Sequence, residues 1–256
     1  MAYTLVTGAS GGIGMALAKE FARNGHDLIL VARRFDKLNK LKEELENAFH
    51  VKVEVFVADL SCEEERNKLY SYTANHNMEV EILVNNAGFG DSNAFLDTSW
   101  ERQKNMVELN VLALMHLTHL YGSEMRNRGK GKILNLASAA AFSAGPYMPV
   151  YYASKGFVLS LSQAMHEELN GSGVTVTALC PGPTATGFEK SAGMEHAKMF
   201  HVIGVESAES VAKCGYSGVM KGKAVVYHGI TTHMFNIATR LTTRKFAGRR
   251  AKKLNR

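Results

Sequence analysis

Proline is scarce in this chain of 256 residues, with 4 in all against 23 glycines. No proline-rich linker, low-complexity stretch or internal repeat divides it. One domain over residues 1–256 is therefore expected, since α/β folds of this length commonly form one. Cysteine is scarce too: Cys62, Cys180 and Cys214 are odd in number, far apart and never spaced Cys-x-x-Cys. That speaks against a disulfide framework and against a zinc site, and for reduced thiols. No apolar run approaches the ~18 residues of a membrane-spanning helix. Met1 leads straight into Tyr3-Thr-Leu-Val6, which leaves no room for a secretory signal and points to the cytoplasm.

Carboxylates are missing from the last stretch altogether. All 24 Asp and Glu lie at or before Glu209, whereas eleven Lys and Arg follow it, eight of them between Arg240 and Arg256. The net charge of +6 thus belongs to the tail, and the body is mildly acidic. A basic tail at 240–256 reads as a solvated, partly disordered segment. The other readings are peripheral contact with an anionic membrane surface or binding of an acyl-carrier phosphate. Nucleic acid is not expected, because no aromatic platform accompanies the charges.

What is present alternates. Apolar strand-like runs end near Thr7, Ala32, Val57, Asn85, Ser138, Cys180 and Tyr227, with helix-like segments between most of them. Such regular alternation predicts an α/β fold: a doubly wound parallel sheet of about seven strands, helices on both faces, ligands at the carboxyl ends of the strands. After the first strand comes Thr7-Gly8-Ala9-Ser10-Gly11-Gly12-Ile13-Gly14 and then a helix. Strand, glycine-rich turn and helix together make a pyrophosphate site, the anion sitting at the positive end of the helix. After the second strand an NAD-selective site wants an acid; this chain has Ala32 and then Arg33 and Arg34. Two guanidiniums suit a 2′-phosphate, which makes NADP(H) the expected cofactor and NAD(H) the alternative.

Asp59 follows the third strand, placed either to accept from an adenine amine or to help cap a helix opened by the capping box Ser61-x-x-Glu64. The helix from about Trp100 to Asn127 is apolar almost all round in its middle, so it should be buried on two sides, one of them against a partner subunit. Asn110 is an isolated polar group within it, and His116 and His119 have no ligand-like company.

The chemistry is placed on Pro149-Val-Tyr-Tyr-Ala-Ser-Lys155, the opening of another helix. Tyr151 and Lys155 are one turn apart on one face. A phenol beside an ammonium is expected to have its pKa lowered toward working pH, fit to exchange a proton with an alkoxide. Tyr152, three residues from Lys155, is a rival on spacing alone.

Thr7-Gly-x-x-x-Gly-x-Gly14, Asn85-Asn-Ala-Gly88, Asn110, Ser138 and Tyr151-x-x-x-Lys155 occur in this order, with Ser138 13 residues before Tyr151. In this the chain resembles the short-chain dehydrogenase/reductase superfamily, in its single-domain Rossmann-type branch, over roughly residues 2–230. The resemblance implies that Tyr151 is the general acid/base and that Lys155 bonds the nicotinamide ribose and lowers the phenol's pKa. Ser138 would polarise a substrate carbonyl, and Asn110 would hold a relay water. It places Gly8, Ser10, Gly12, Ile13 and Gly14 at the pyrophosphate, Asp59 and Leu60 at the adenine, and Asn86, within Asn86-Ala87-Gly88, beside the ribose. Pro181-Gly182-x-Thr184-x-Thr186 stands in the family's nicotinamide-side motif with Thr184 in place of valine, and Thr186 would fix the nicotinamide amide.

It also implies a substrate lid at 187–205, where Phe188, Met194, Met199 and Phe200 form an apolar wall suited to a hydrophobic ketone or 3-oxoacyl chain. The expected activity is NADPH-dependent carbonyl reduction by a homo-oligomer, a dimer or tetramer, acting on a small molecule. The alternatives are an NAD-dependent secondary-alcohol or hydroxysteroid dehydrogenase and a catalytically silent nucleotide-binding protein.

Overall fold

The computed structural model describes residues 2–193 and 204–255. Seven parallel strands form its main sheet: β1 (Ala2–Thr7), β2 (Asp27–Ala32), β3 (Val53–Val57), β4 (Glu79–Asn85), β5 (Gly131–Leu136), β6 (Val174–Cys180) and β9 (Val225–Tyr227). A two-residue pair, β7 (Thr184–Ala185) and β8 (Glu206–Ser207), forms a separate ribbon. The main sheet runs β3-β2-β1-β4-β5-β6-β9. The chain starts in the middle, winds outward to β3, then crosses back to lay β4 beside β1 and winds out the other way. Connections leaving β1 and β4 thus diverge, which opens a crevice at their carboxyl ends.

Alternate residues of each strand feed two cores. Val6, Leu28, Leu30, Val84 and Leu134 pack with α1 (Gly12–Arg23), α2 (Phe35–Phe49) and the helix Ala208–Met220. Tyr3, Leu5, Ile29, Leu83 and Ile133 pack on the opposite face with α3 (Glu63–Asn75), α5 (Leu114–Arg128) and part of α6 (Pro149–Glu168). Burial on both faces is why these strands read as continuous apolar runs. Each fully buried Leu, Ile or Phe contributes about 1.5–3 kcal/mol relative to exposure.

A chain of polar side chains crosses the second core. The Asn85 amide donates to Thr118 Oγ1 and to Asn135 Oδ1, both at 2.9 Å. The Asn135 amide donates to Ser162 Oγ at 3.0 Å. Two strands and two helices are tied by bonds that a buried amide must make. That fixes α6 against β5.

Three expectations need correction. The segment from Trp100 is helical to Arg128 but not uniform: α4 (Trp100–Val107) passes through a π turn at Glu108–Ala113 before α5. Ser61 does not form a capping box, because its hydroxyl donates to Asp59 Oδ1 at 2.7 Å and α3 is capped by Cys62 without a side-chain bond. Three glutamates, Glu63, Glu64 and Glu65, offset the positive helix end instead. The basic tail is not a disordered segment either. It continues helix Ile230–Leu241 into a second helix, Arg244–Leu254, whose Ala247 and Ala251 are buried against the body.

Candidate active site

Pro149 starts α6 where its missing N–H costs nothing, and the helix then presents Tyr151 and Lys155 to the crevice. Lys155 is only 5% exposed, and its Nζ donates to the Leu136 carbonyl at 2.7 Å. The ammonium lies 5.8 Å from the centroid of the Tyr151 ring. Ser138 follows β5 in extended conformation, and its Oγ accepts from the Ala140 N–H at 3.1 Å. Tyr152 is committed elsewhere: its hydroxyl donates to Asn255 Oδ1 at 3.0 Å. Asn255 Nδ2 in turn donates to the Pro146 carbonyl at 2.8 Å.

The expected lowering of the phenol pKa does not occur. Burial pushes Tyr151 up to about 12, only partly opposed by the nearby Ser138 hydroxyl. Burial likewise pushes Lys155 down to about 8. Desolvation disfavours the charged form of both, and the ammonium donates to the Leu136 carbonyl. The phenol therefore stays protonated across the physiological range. That is the state a proton donor needs, and an alkoxide is basic enough to take its proton.

On the other side of the crevice lies the glycine turn. Gly8 has φ +67° and Gly12 φ +55°. A Cβ on Gly14 would lie 2.3 Å from Asn86 Nδ2, so only glycine lets α1 start here. Helix α1 opens with no side-chain cap and no acid in its first turn, which leaves its N–H groups and positive end to an anion. Arg34 reaches across the turn to Ser10 Oγ at 3.0 Å, and Arg33 lies 3.6 Å from Asp59 Oδ2. Burial pushes the Asp59 carboxyl up, but bonds from Ser61 and the Arg33 cation outweigh it and hold it below its ordinary value.

One cavity of about 890 Å³ joins the two sides. Gly8, Ser10, Gly12, Ile13, Arg33, Arg34, Asp59, Leu60, Asn86, Ala87 and Gly88 line it, with Ser138, Tyr151, Lys155, Pro181, Gly182, Thr184 and Thr186. Gly14 and Asn110 do not. Gly14 packs behind the turn, and Asn110, 1% exposed, is pinned to the Phe89 backbone. Its Oδ1 accepts from the Phe89 N–H at 3.0 Å, and its Nδ2 donates to the Phe89 carbonyl at 2.9 Å and to Ser154 Oγ at 3.2 Å. The side chain thus braces the segment beside Gly88. The Asn86 amide is likewise spent on the Thr7 carbonyl at 2.8 Å, holding the turn.

Of the lid residues, Phe188 lies with its ring 5.3 Å from the Tyr151 ring, tilted by 44°. Met194, Met199 and Phe200 lie outside the described residues. Lys37, Leu109 and Met148 also line the cavity and went unread in the sequence. Lys37 had a legible signal, a third base shortly after Arg33 and Arg34, in the first turn of α2. Met148 and Leu109 had none.

A sequence model of the short chain dehydrogenase family matches residues 2–197. Among curated proteins, 17-beta-hydroxysteroid dehydrogenase type 3 of Mus musculus is 35% identical over 193 residues, 73% of this chain and 62% of its own length. The very-long-chain 3-oxoacyl-CoA reductase of Homo sapiens is 33% identical over 192 residues, 73% of this chain and 61% of its own. The matched part of the chain thus spans about three fifths of these relatives. Among solved structures, a short-chain dehydrogenase from Sphingobium yanoikuyae in complex with NADPH superposes with a TM-score of 0.84 at 31% identity, covering 98% of this chain and 94% of that one.

Proposed function

The chain belongs to the short-chain dehydrogenase family, and from that premise we propose that it is an NADPH-dependent carbonyl reductase acting on a hydrophobic ketone. The observation that carries this reading is the meeting of Ser138, Tyr151 and Lys155 with the uncapped α1 turn and Arg34 in one cavity. When bound, the reduced nicotinamide supplies hydride to the carbonyl carbon. The chain's own residues do the rest. Ser138 donates to the carbonyl oxygen and steadies its growing negative charge. Tyr151 hands that oxygen its proton, and the neighbouring ammonium of Lys155 steadies the phenolate left behind.

The glycine turn fits a pyrophosphate, since its first-turn N–H groups have no side-chain acceptor and the first turn of α1 carries no acid. Arg34 and Lys37, on the same wall, suit a 2′-phosphate. Phe188 and Met148 give the substrate side an apolar wall, in keeping with the steroid and 3-oxoacyl names of the relatives. Trp100, Val107 and Met115 stand exposed along α4 and α5, which supports a second copy on that face. Three free thiols, Cys62, Cys180 and Cys214, support a cytoplasmic location.

The test is oxidation of NADPH and NADH, in parallel, against aliphatic ketones, 3-oxoacyl thioesters and ketosteroids. Turnover that prefers NADPH supports the proposal. Turnover only with NAD⁺ and an alcohol would make the protein a dehydrogenase, and cofactor binding without turnover would make it a silent binding protein.

A further inference from the structure

The helix Ile230–Leu241 is amphipathic in the inverse sense for a surface helix. Its buried side chains are polar: Thr232 and Asn236, the latter donating to the Tyr227 hydroxyl at 3.2 Å. Its exposed side carries Ile230 (77% exposed), Met234 (62%), Ile237 (45%) and Leu241 (82%). These positions are i, i+4, i+7 and i+11, which fall on one narrow stripe opposite the docked face. The following helix, Arg244–Leu254, turns Ala247 and Ala251 inward. Outward it presents Phe246 (53% exposed) among Lys245, Arg249, Arg250 and Lys253. None of the described cations after Glu209 is in an ion pair, and no acid follows that residue. Both helices lie beyond residues 2–197, the part matched by the family model.

We propose that this helix pair docks the protein on an anionic lipid bilayer, the Ile230-Met234-Ile237-Leu241 stripe and Phe246 entering the headgroup boundary and the flanking Arg and Lys meeting lipid phosphates. An outward apolar stripe followed along the chain by uncompensated cations is the composition of an interfacial segment. A second copy of the chain is the poorer occupant. A two-fold contact through this surface would bring the same cations face to face with no carboxylate from either helix to neutralise them. The surface is also joined to the pocket. Ala251 packs in one cluster with Met148 and Tyr152, against which Tyr151 and Phe188 lie. A docked protein therefore holds its apolar substrate wall close to lipid. The docking itself does not rest on the proposed reaction.

The full-length protein is sedimented with phosphatidylcholine vesicles and with vesicles that also contain phosphatidylglycerol. The expected result is co-sedimentation with the anionic vesicles alone, weakened by salt. Each cation removed, as in Lys245→Gln or Arg249→Gln, should weaken binding about fivefold. Met234→Ser with Leu241→Ser should weaken it at least as much while circular dichroism and ketone turnover stay unchanged. Equal recovery with and without phosphatidylglycerol, or none with either, overturns the proposal. So does a dimer in sedimentation velocity that the Met234→Ser, Leu241→Ser variant returns to monomer, since the stripe would then be a self-contact.

Discussion

Replacing Lys155 by methionine should separate stability from activity in opposite directions. The two side chains are similar in volume, so the change removes a buried ammonium with little new cavity. Burial holds this lysine at about 8 against an ordinary 10.5. At pH 7 the group is charged in both folded and unfolded chains, and the shift corresponds to about 3 kcal/mol of lost stability in the native protein. Between about pH 8 and pH 10.5 the unfolded chain binds the proton that the folded chain has released, so the native protein gains stability as pH rises. At pH 10 only about 1 kcal/mol of the penalty remains. The variant carries no such group. It does leave the Leu136 carbonyl without its donor, a cost of about 1 kcal/mol that is independent of pH. Urea unfolding of both proteins at pH 7 and pH 10 should therefore show the difference between them move by about 2–3 kcal/mol in favour of the native protein. Other titrating groups cancel in that comparison. Ketone turnover of the variant should be lost at both pH values. A stability difference that stays constant from pH 7 to pH 10 would refute the buried-ammonium argument.

Tyr151→Phe should lower kcat by about 10²–10⁴-fold while leaving cofactor affinity intact, measured by steady-state kinetics and fluorescence titration. Equal loss from Tyr152→Phe would reverse the assignment of the two phenols. Asn255→Ala should cost about 1–3 kcal/mol in urea unfolding, because Tyr152 then has no acceptor and Pro146 no donor. An unchanged midpoint would mean that the terminal helix is not anchored there. Arg34→Ala should raise KM for NADPH at least tenfold and that for NADH far less; equal changes would remove the phosphate argument. Gly14→Ala should destabilise by about 3 kcal/mol or more, since its Cβ would lie 2.4 Å from the Gly8 carbonyl oxygen, and a wild-type midpoint would contradict that packing.

The seven strands and most of their helices were legible because burial on both faces writes itself as local apolar runs, and the glycine turn because a backbone anion site needs glycine within a few residues. Tyr151 and Lys155 were legible as a pair because one turn of helix joins them. Reading the phenol's pKa from that pair alone failed. Spacing placed the ammonium near the ring, but desolvation and the bond to Leu136 depend on residues brought in from β5. The partners of the Asn110 and Asn86 amides, Phe89 and Thr7, were not readable either, because they are brought in from other segments of the fold.

The sequence by itself determined the alternation of strand and helix, the glycine turn, the order of the polar residues and the charge asymmetry of the chain. These are local properties or sums, and local geometry is set by neighbours along the backbone. Only the tertiary structure decided that Tyr152 belongs to Asn255, that the basic tail is a docked helix and that an apolar stripe faces outward on the helix before it. Hydrogen-bond partners, desolvation and the outward face of a helix are set by what lies across the fold. No spacing along the chain records that.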